Sequence, residues 1–133
     1  MGYIKERMTK VNVYRPINPY DFAADEEVLP YTIVISCAVG GATAIAYTLK
    51  EKVRVIDAFA VATASAVGST VVVQDADGNA ITSTMSTATD TLLSRATTID
   101  DDNWDESKAA SLIVEKSGTA VGCLVFITVI NKV

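Results

Sequence analysis

The side chains of this sequence that could do chemistry are mostly carboxylates, and they have no imidazole to work with. The 133-residue chain contains no histidine, which removes the commonest general base and the commonest metal ligand. Ser-His and Cys-His catalysis, and histidine-containing zinc sites, are excluded with it. No Ser-x-x-Lys spacing offers a lysine base to a serine. A glycosidase needs two carboxylates across a cleft. Asp57 lies within an apolar stretch, but spacing pairs it with no second acid. Asp57 and Arg95 read better as structural charges paired with each other, because a buried charge without a partner is costly. Asp75 and Asp77 have the spacing of alternate ligands in a calcium loop. Gly78 arrives too early for that loop, however, and no glutamate stands at its twelfth position. Asp77-Gly78 instead favours the positive φ of a tight hairpin turn. Asp100, Asp101, Asp102, Asp105 and Glu106 flank Trp104, the only tryptophan. Such a cluster could hold a cation or a basic partner, or it could be a solvated loop pinned to the core by Trp104. The expectation is a protein that is not an enzyme and carries no cofactor and no metal.

Cys37 and Cys123 stand far apart in apolar, strand-like runs. No apolar signal segment opens the charged N-terminus, so two buried, reduced thiols are expected, with a disulfide between neighbouring strands as the alternative. Met1-Gly2 is followed by Glu6 where a myristoylation motif has Ser or Thr.

The elements that must carry these residues read as strands. Half of the residues are apolar and only 7% are aromatic. The apolar content is mostly Ala, Val and Ile, and with abundant Thr this is a β-biased vocabulary. Residues 31–39 are β-branched and end at Gly40-Gly41. Residues 42–49 alternate, with Ile45, Tyr47 and Leu49 on one face. Residues 53–63 alternate again, with Val53, Val55, Asp57, Phe59 and Val61 on one face and small alanines on the other. Further strands are expected over 69–74, 80–84, 91–99, 111–116 and 119–131, and a short helical turn over 103–109. The last strand is apolar on both faces, as in a strand covered on both sides. The fold class is therefore all-β: an antiparallel β-sandwich, jelly-roll-like, of roughly eight strands. Residues 31–49 carry no charge, but Gly40-Gly41 and several threonines interrupt them, and similar runs recur at 58–74 and 117–131. These are buried strands rather than a membrane span.

Residues 1–30 form a separate extended arm, and 31–133 the sandwich domain. The arm holds all three prolines (Pro16, Pro19 and Pro30) and four of the nine aromatic residues. Its residues 1–20 carry a charge of +3 and residues 21–30 carry −4, within a net charge of −5. Such a balance disfavours nucleic acid as a partner. The prolines keep the segment extended, and its rings and cations can dock on a neighbouring subunit. Tyr3, Arg7, Tyr14, Arg15, Tyr20 and Phe22 are the candidate partner-binding residues. With both faces of 119–131 apolar, a homo-oligomer is expected.

From residue 53 a likeness to a family appears. It rests on Val53-Arg54-Val55-Ile56-Asp57-Ala58, Gly68-Ser69-Thr70-Val71-Val72-Val73, Asp77-Gly78-Asn79-Ala80-Ile81-Thr82, Arg95, Thr98-Ile99-Asp100-Asp101 and the strand from Gly122 to Ile130. In these the chain resembles the capsid decoration, or cement, proteins of tailed bacteriophages. The resemblance implies a structural virion protein on the capsid exterior, made in the host cytoplasm, often a trimer, that bridges and stabilises major capsid subunits. A carbohydrate-binding or adhesion module displayed on a virion or cell surface is the alternative.

Overall fold

The computed structural model describes residues 29–132. Nine strands follow one another along the chain: β1 (Pro30–Cys37), β2 (Ala44–Thr48), β3 (Val53–Ala64), β4 (Thr70–Gln74), β5 (Met85–Ser86), β6 (Leu93–Arg95), β7 (Asp105–Glu106), β8 (Ser111–Lys116) and β9 (Gly122–Asn131). They form two sheets. One has the order β1-β9-β3-β6, with β7 also pairing β3, and the other has the order β2-β8-β4-β5. Every strand pairing is antiparallel.

The pairings nest. β4 pairs β5, β3 pairs β6, β2 pairs β8 and β1 pairs β9. The chain is thus a ribbon folded back on itself, rolled so that successive rungs fall in opposite sheets. That is a jelly roll, with β7 as an addition at the edge of β3. The core lies between the sheets. Ile33 and Ile35 of β1, Val53 and Val55 of β3, Val71 and Val73 of β4, Leu112 and Val114 of β8, and the alternate residues of β9 from Cys123 to Val129 fill it, none more than 5% exposed. Each such aliphatic side chain contributes about 1.5–3 kcal/mol when fully buried. Ala58, Ala60 and Ala62 are wholly buried, and their small side chains let the opposite sheet approach.

Several boundaries differ from the reading of the sequence. The strand count is nine because two elements are only two residues long. Pro30, expected in the arm, opens β1 opposite Ile130; β1 is an edge strand, where a missing N–H is tolerated. Residues 80–84 are not a strand. Ala80 and Thr82 make single bridges to Gln74 and Ile99, and the Thr82 hydroxyl accepts a bond from Val73 N, in place of a ladder partner. Of 91–99 only Leu93–Arg95 is strand. The acids at 105 and 106 extend β3 instead of opening a helical turn: Asp105 faces Arg54, Glu106 faces Val53, and Val55 N donates to Trp104 O.

The expected face of β3 is also corrected. Its register against β9 shifts between Val55 and Asp57. Val53 and Val55 point inward, and after the bulge so do Ala58, Ala60 and Ala62. Asp57, Phe59 and Val61 are thereby turned to the outside. The bulge keeps the Asp57 carboxylate out of the core.

Candidate functional site

The six candidate partner-binding residues, Tyr3, Arg7, Tyr14, Arg15, Tyr20 and Phe22, lie outside the described residues. Within the described residues, the surface with most chemistry to offer is the outer face of the five-stranded sheet. Its composition follows from two local features. β9 is apolar on both faces, so Leu124, Phe126 and Ile130 point away from the core. The β3 bulge adds Phe59 and Val61 to the same side.

Register arranges these side chains in rows across the strands. One row runs Val34, Phe126, Phe59, Arg95, and the next runs Ser36, Leu124, Val61, Leu93. The Phe59 and Phe126 rings are stacked, with centroids 4.7 Å apart and planes 11° from parallel. The Arg95 guanidinium lies 5.6 Å from the Phe59 centroid, continuing the row as a cation–π contact. Arg95 Nε is 3.2 Å from Asp57 Oδ2, so the pair expected from the sequence is formed. Val34 and Leu93, at opposite edges of the sheet, are each 51% exposed. The described residues form two sheets only, and no third layer among them covers these rows. The outer face of the other sheet is different. Its rows run Ala46, Ile113, Gln74 and Ala44, Glu115, Val72, which are smaller and mixed in polarity.

Charged groups rim the apolar rows. Arg54 grips Asp105 with two bonds, Nε to Oδ1 at 2.8 Å and Nη2 to Oδ2 at 3.1 Å. Its guanidinium also lies 4.5 Å from the centre of the Trp104 ring. The Arg54 fork holds the Asp105 carboxyl below its ordinary range. Trp104 packs against the core, as the pinned-loop reading of 100–106 expected. At the start of β1, Tyr31 donates its hydroxyl to Glu51 Oε2 at 2.7 Å. Burial, and then this bond, push the phenol up to about 12.

The two acidic loops are closed by their own backbone. Asp75 Oδ1 accepts from the N–H groups of Asp77 and Asn79, its Oδ2 accepts from Asn79 Nδ2, and Gly78 has φ +87°. These bonds close the tight turn that Asp77-Gly78 indicated. Asp100, Asp101 and Asp102 can bring one carboxylate oxygen each within 4.8 Å of one another, all exposed. The Asp100 carboxylate is engaged by Asp102 N and Asn103 Nδ2.

No family model, curated protein or solved structure matches this chain.

Two ionisable groups whose burial the sequence did not indicate, Lys116 and Glu106, are drawn in between the strands. Lys116 ends the inward row of β8 after Leu112 and Val114, and is 1% exposed. Its Nζ donates to Ala38 O at 2.8 Å and Val121 O at 2.9 Å, both next to the five-stranded sheet, so one lysine ties the two layers together. The alternation of 111–116 was the signal that could have found it. Glu106, opposite Val53 at the other end, is 9% exposed. Burial first, then the charges of Asp75, Asp77 and Asp105, push its carboxyl up to about 7.

Proposed function

We propose that this chain is a structural virion protein that binds the outer surface of a tailed-phage capsid and bridges its major capsid subunits. The docking surfaces are the outer face of the five-stranded sheet and the arm of residues 1–30. The observation that carries this reading is the pair of apolar rows from Val34 to Arg95 and from Ser36 to Leu93, with stacked rings at their centre. Aromatic and arginine side chains in a flat apolar patch are the residue types that dominate association energies. The jelly-roll wind supports the reading at the level of analogy, since coat and lectin domains share it; a fold by itself chooses neither. The likeness of residues 53–133 to decoration proteins favours the capsid. Many copies on one lattice compensate for modest single contacts. The reading includes a homo-oligomer, a trimer by that likeness, and it involves no catalytic step, nucleic acid or membrane.

Cosedimentation of the full chain with purified heads that lack it tests this directly. Phe126→Glu and deletion of residues 1–30 are each expected to weaken binding about 30-fold or more, the loss produced by removing one interface anchor of about 2 kcal/mol. Undiminished binding by both variants, with folding verified by circular dichroism, would overturn it. The alternative, a carbohydrate-binding module, is favoured by one observation only, the Phe59–Phe126 platform. Glycan-array binding that Phe126→Glu abolishes, with no affinity for heads, would transfer the assignment to it.

A further inference from the structure

Cys37 closes β1 and Cys123 stands at the start of β9, and the two are direct partners in the antiparallel register. Both are free thiols, 2% and 1% exposed. Facing residues in an antiparallel pair have Cα atoms about 4.5 or 5.5 Å apart, according to the type of pair. A disulfide accepts Cα separations of about 4.4–6.8 Å. Either pair type therefore permits a bond without displacing a strand. Both side chains lie on the core side of their strands.

The third member of the cluster comes from the other sheet. Lys116 Nζ is anchored on the carbonyl of Ala38, next to Cys37, and on that of Val121, two residues before Cys123. An ammonium has three donors, and two are used by these carbonyls. Its charge acts on both sulfurs and favours the thiolate at each. The two thiols act on each other in opposite senses, lowering Cys123 and raising Cys37, while burial raises both. The cluster lies at the end of the sheet. β1 is an edge strand, Cys37 is its last residue, and Ala38, Val39 and Gly40 beyond it are exposed. Val39 packs so closely on Gly122 that its Cγ2 would lie 2.7 Å from a Cβ there, which makes this loop the cover of the cluster.

We propose that Cys37 and Cys123 are a redox pair that a hydroperoxide converts into a cross-strand disulfide, with Lys116 positioning and electrostatically activating the attacking sulfur. The Cys123 thiolate attacks one oxygen of hydrogen peroxide. The O–O bond breaks, hydroxide leaves, takes up the proton that Cys123 released and becomes water, and Cys123 becomes a sulfenic acid. The Cys37 sulfur then attacks the Cys123 sulfur. The S–S bond forms, and the sulfenic hydroxyl leaves with the Cys37 proton as a second water. Two thiols lose two electrons, and one peroxide gains them. The bond locks β1 onto β9.

The test treats the folded full chain with hydrogen peroxide. The expected results are a mass lower by two hydrogen atoms, a Cys37–Cys123 linked peptide in a non-reducing digest, and a thermal midpoint raised by about 10 °C that dithiothreitol reverses. Cys37→Ser should leave a sulfenic acid on Cys123 that dimedone traps, with no rise in midpoint. Lys116→Met should slow disulfide formation at least about tenfold at neutral pH and move its pH profile upward, and Lys116→Arg should restore most of the rate. A wild-type chain that keeps both thiols, or whose cysteines go to sulfinic acid without linking, would overturn the proposal whatever the variants do. A Lys116→Met chain that folds and oxidises with an unchanged pH profile would remove the lysine from it.

Discussion

Replacing Glu106 with glutamine should make the protein more stable at pH 8 and remove most of its pH dependence between about pH 4.5 and 7. Glu106 is buried opposite Val53, with Asp75, Asp77 and Asp105 as its charged neighbours. Its carboxyl titrates near 7 in the folded chain, against an ordinary value of 4.5. Between those values the native state keeps a proton that the unfolded chain has released, so raising the pH costs stability throughout that window. Each unit of difference is worth about 1.4 kcal/mol, which makes the penalty at pH 8 about 3 kcal/mol. Asp105, lowered by Arg54, works in the opposite sense. Its contribution is present above the ordinary aspartate range and is lost only as the pH falls below it, outside the Glu106 window. The glutamine amide of the Glu106→Gln variant occupies the volume of the protonated carboxyl and carries no charge to repel the three aspartates. Thermal unfolding followed by circular dichroism from pH 5 to 8.5 is the assay. The wild-type midpoint should fall by about 10 °C or more across that range, while the variant stays nearly level. A wild-type curve that is flat or rises, or a variant with the same slope as the wild type, would refute the reasoning.

Other expectations follow from single contacts. Val34→Glu, on an edge strand and half exposed, should change stability by no more than about 0.5 kcal/mol in chemical unfolding while abolishing any self-association seen by light scattering. A double-mutant cycle on Asp57 and Arg95, which are 35% and 59% exposed, should give a coupling below about 1 kcal/mol that vanishes in high salt. Gly78→Ala, at φ +87°, should lower stability by about 1 kcal/mol in urea titration, since an L side chain is strained there. Arg54→Gln removes the cation above the only tryptophan, and a shift of the Trp104 emission maximum should report it.

Much of the scaffold was legible, because it is carried by local patterns. The runs of 42–49, 111–116 and 119–131 each contain the strand they indicated, 31–39 holds all of its strand but Pro30, and Asp77-Gly78 marked its turn. What escaped depends on pairing. The bulge at Ile56 is one extra residue against β9. Nothing in the composition of 53–63 announces it, yet it reverses the faces of Asp57, Phe59 and Val61 and so supplies two of the six apolar side chains in the outer rows. The only hint was a carboxylate on an otherwise apolar face. The acids at 105 and 106 satisfied the rules for a helix start, but a bidentate Arg54 and an open edge of β3 claimed them first. Cys37 and Cys123 are partners only through register, which spacing does not encode. Lys116 was visible as an inward position on its own strand; that its ammonium reaches two carbonyls by the other sheet was not.

The nested pairing also sets an order in time. Of the described strands β1 is made first, and its partner β9 is made last. The row Val34, Phe126, Phe59, Arg95 draws on four strands from both ends of the sequence. A ribosome-bound fragment that stops short of Phe126 therefore cannot complete the row. Contacts between residues so distant in sequence also close slowly. The outer apolar face thus forms only after β9 has been made and has closed between β1 and β3, so a nascent chain does not present it.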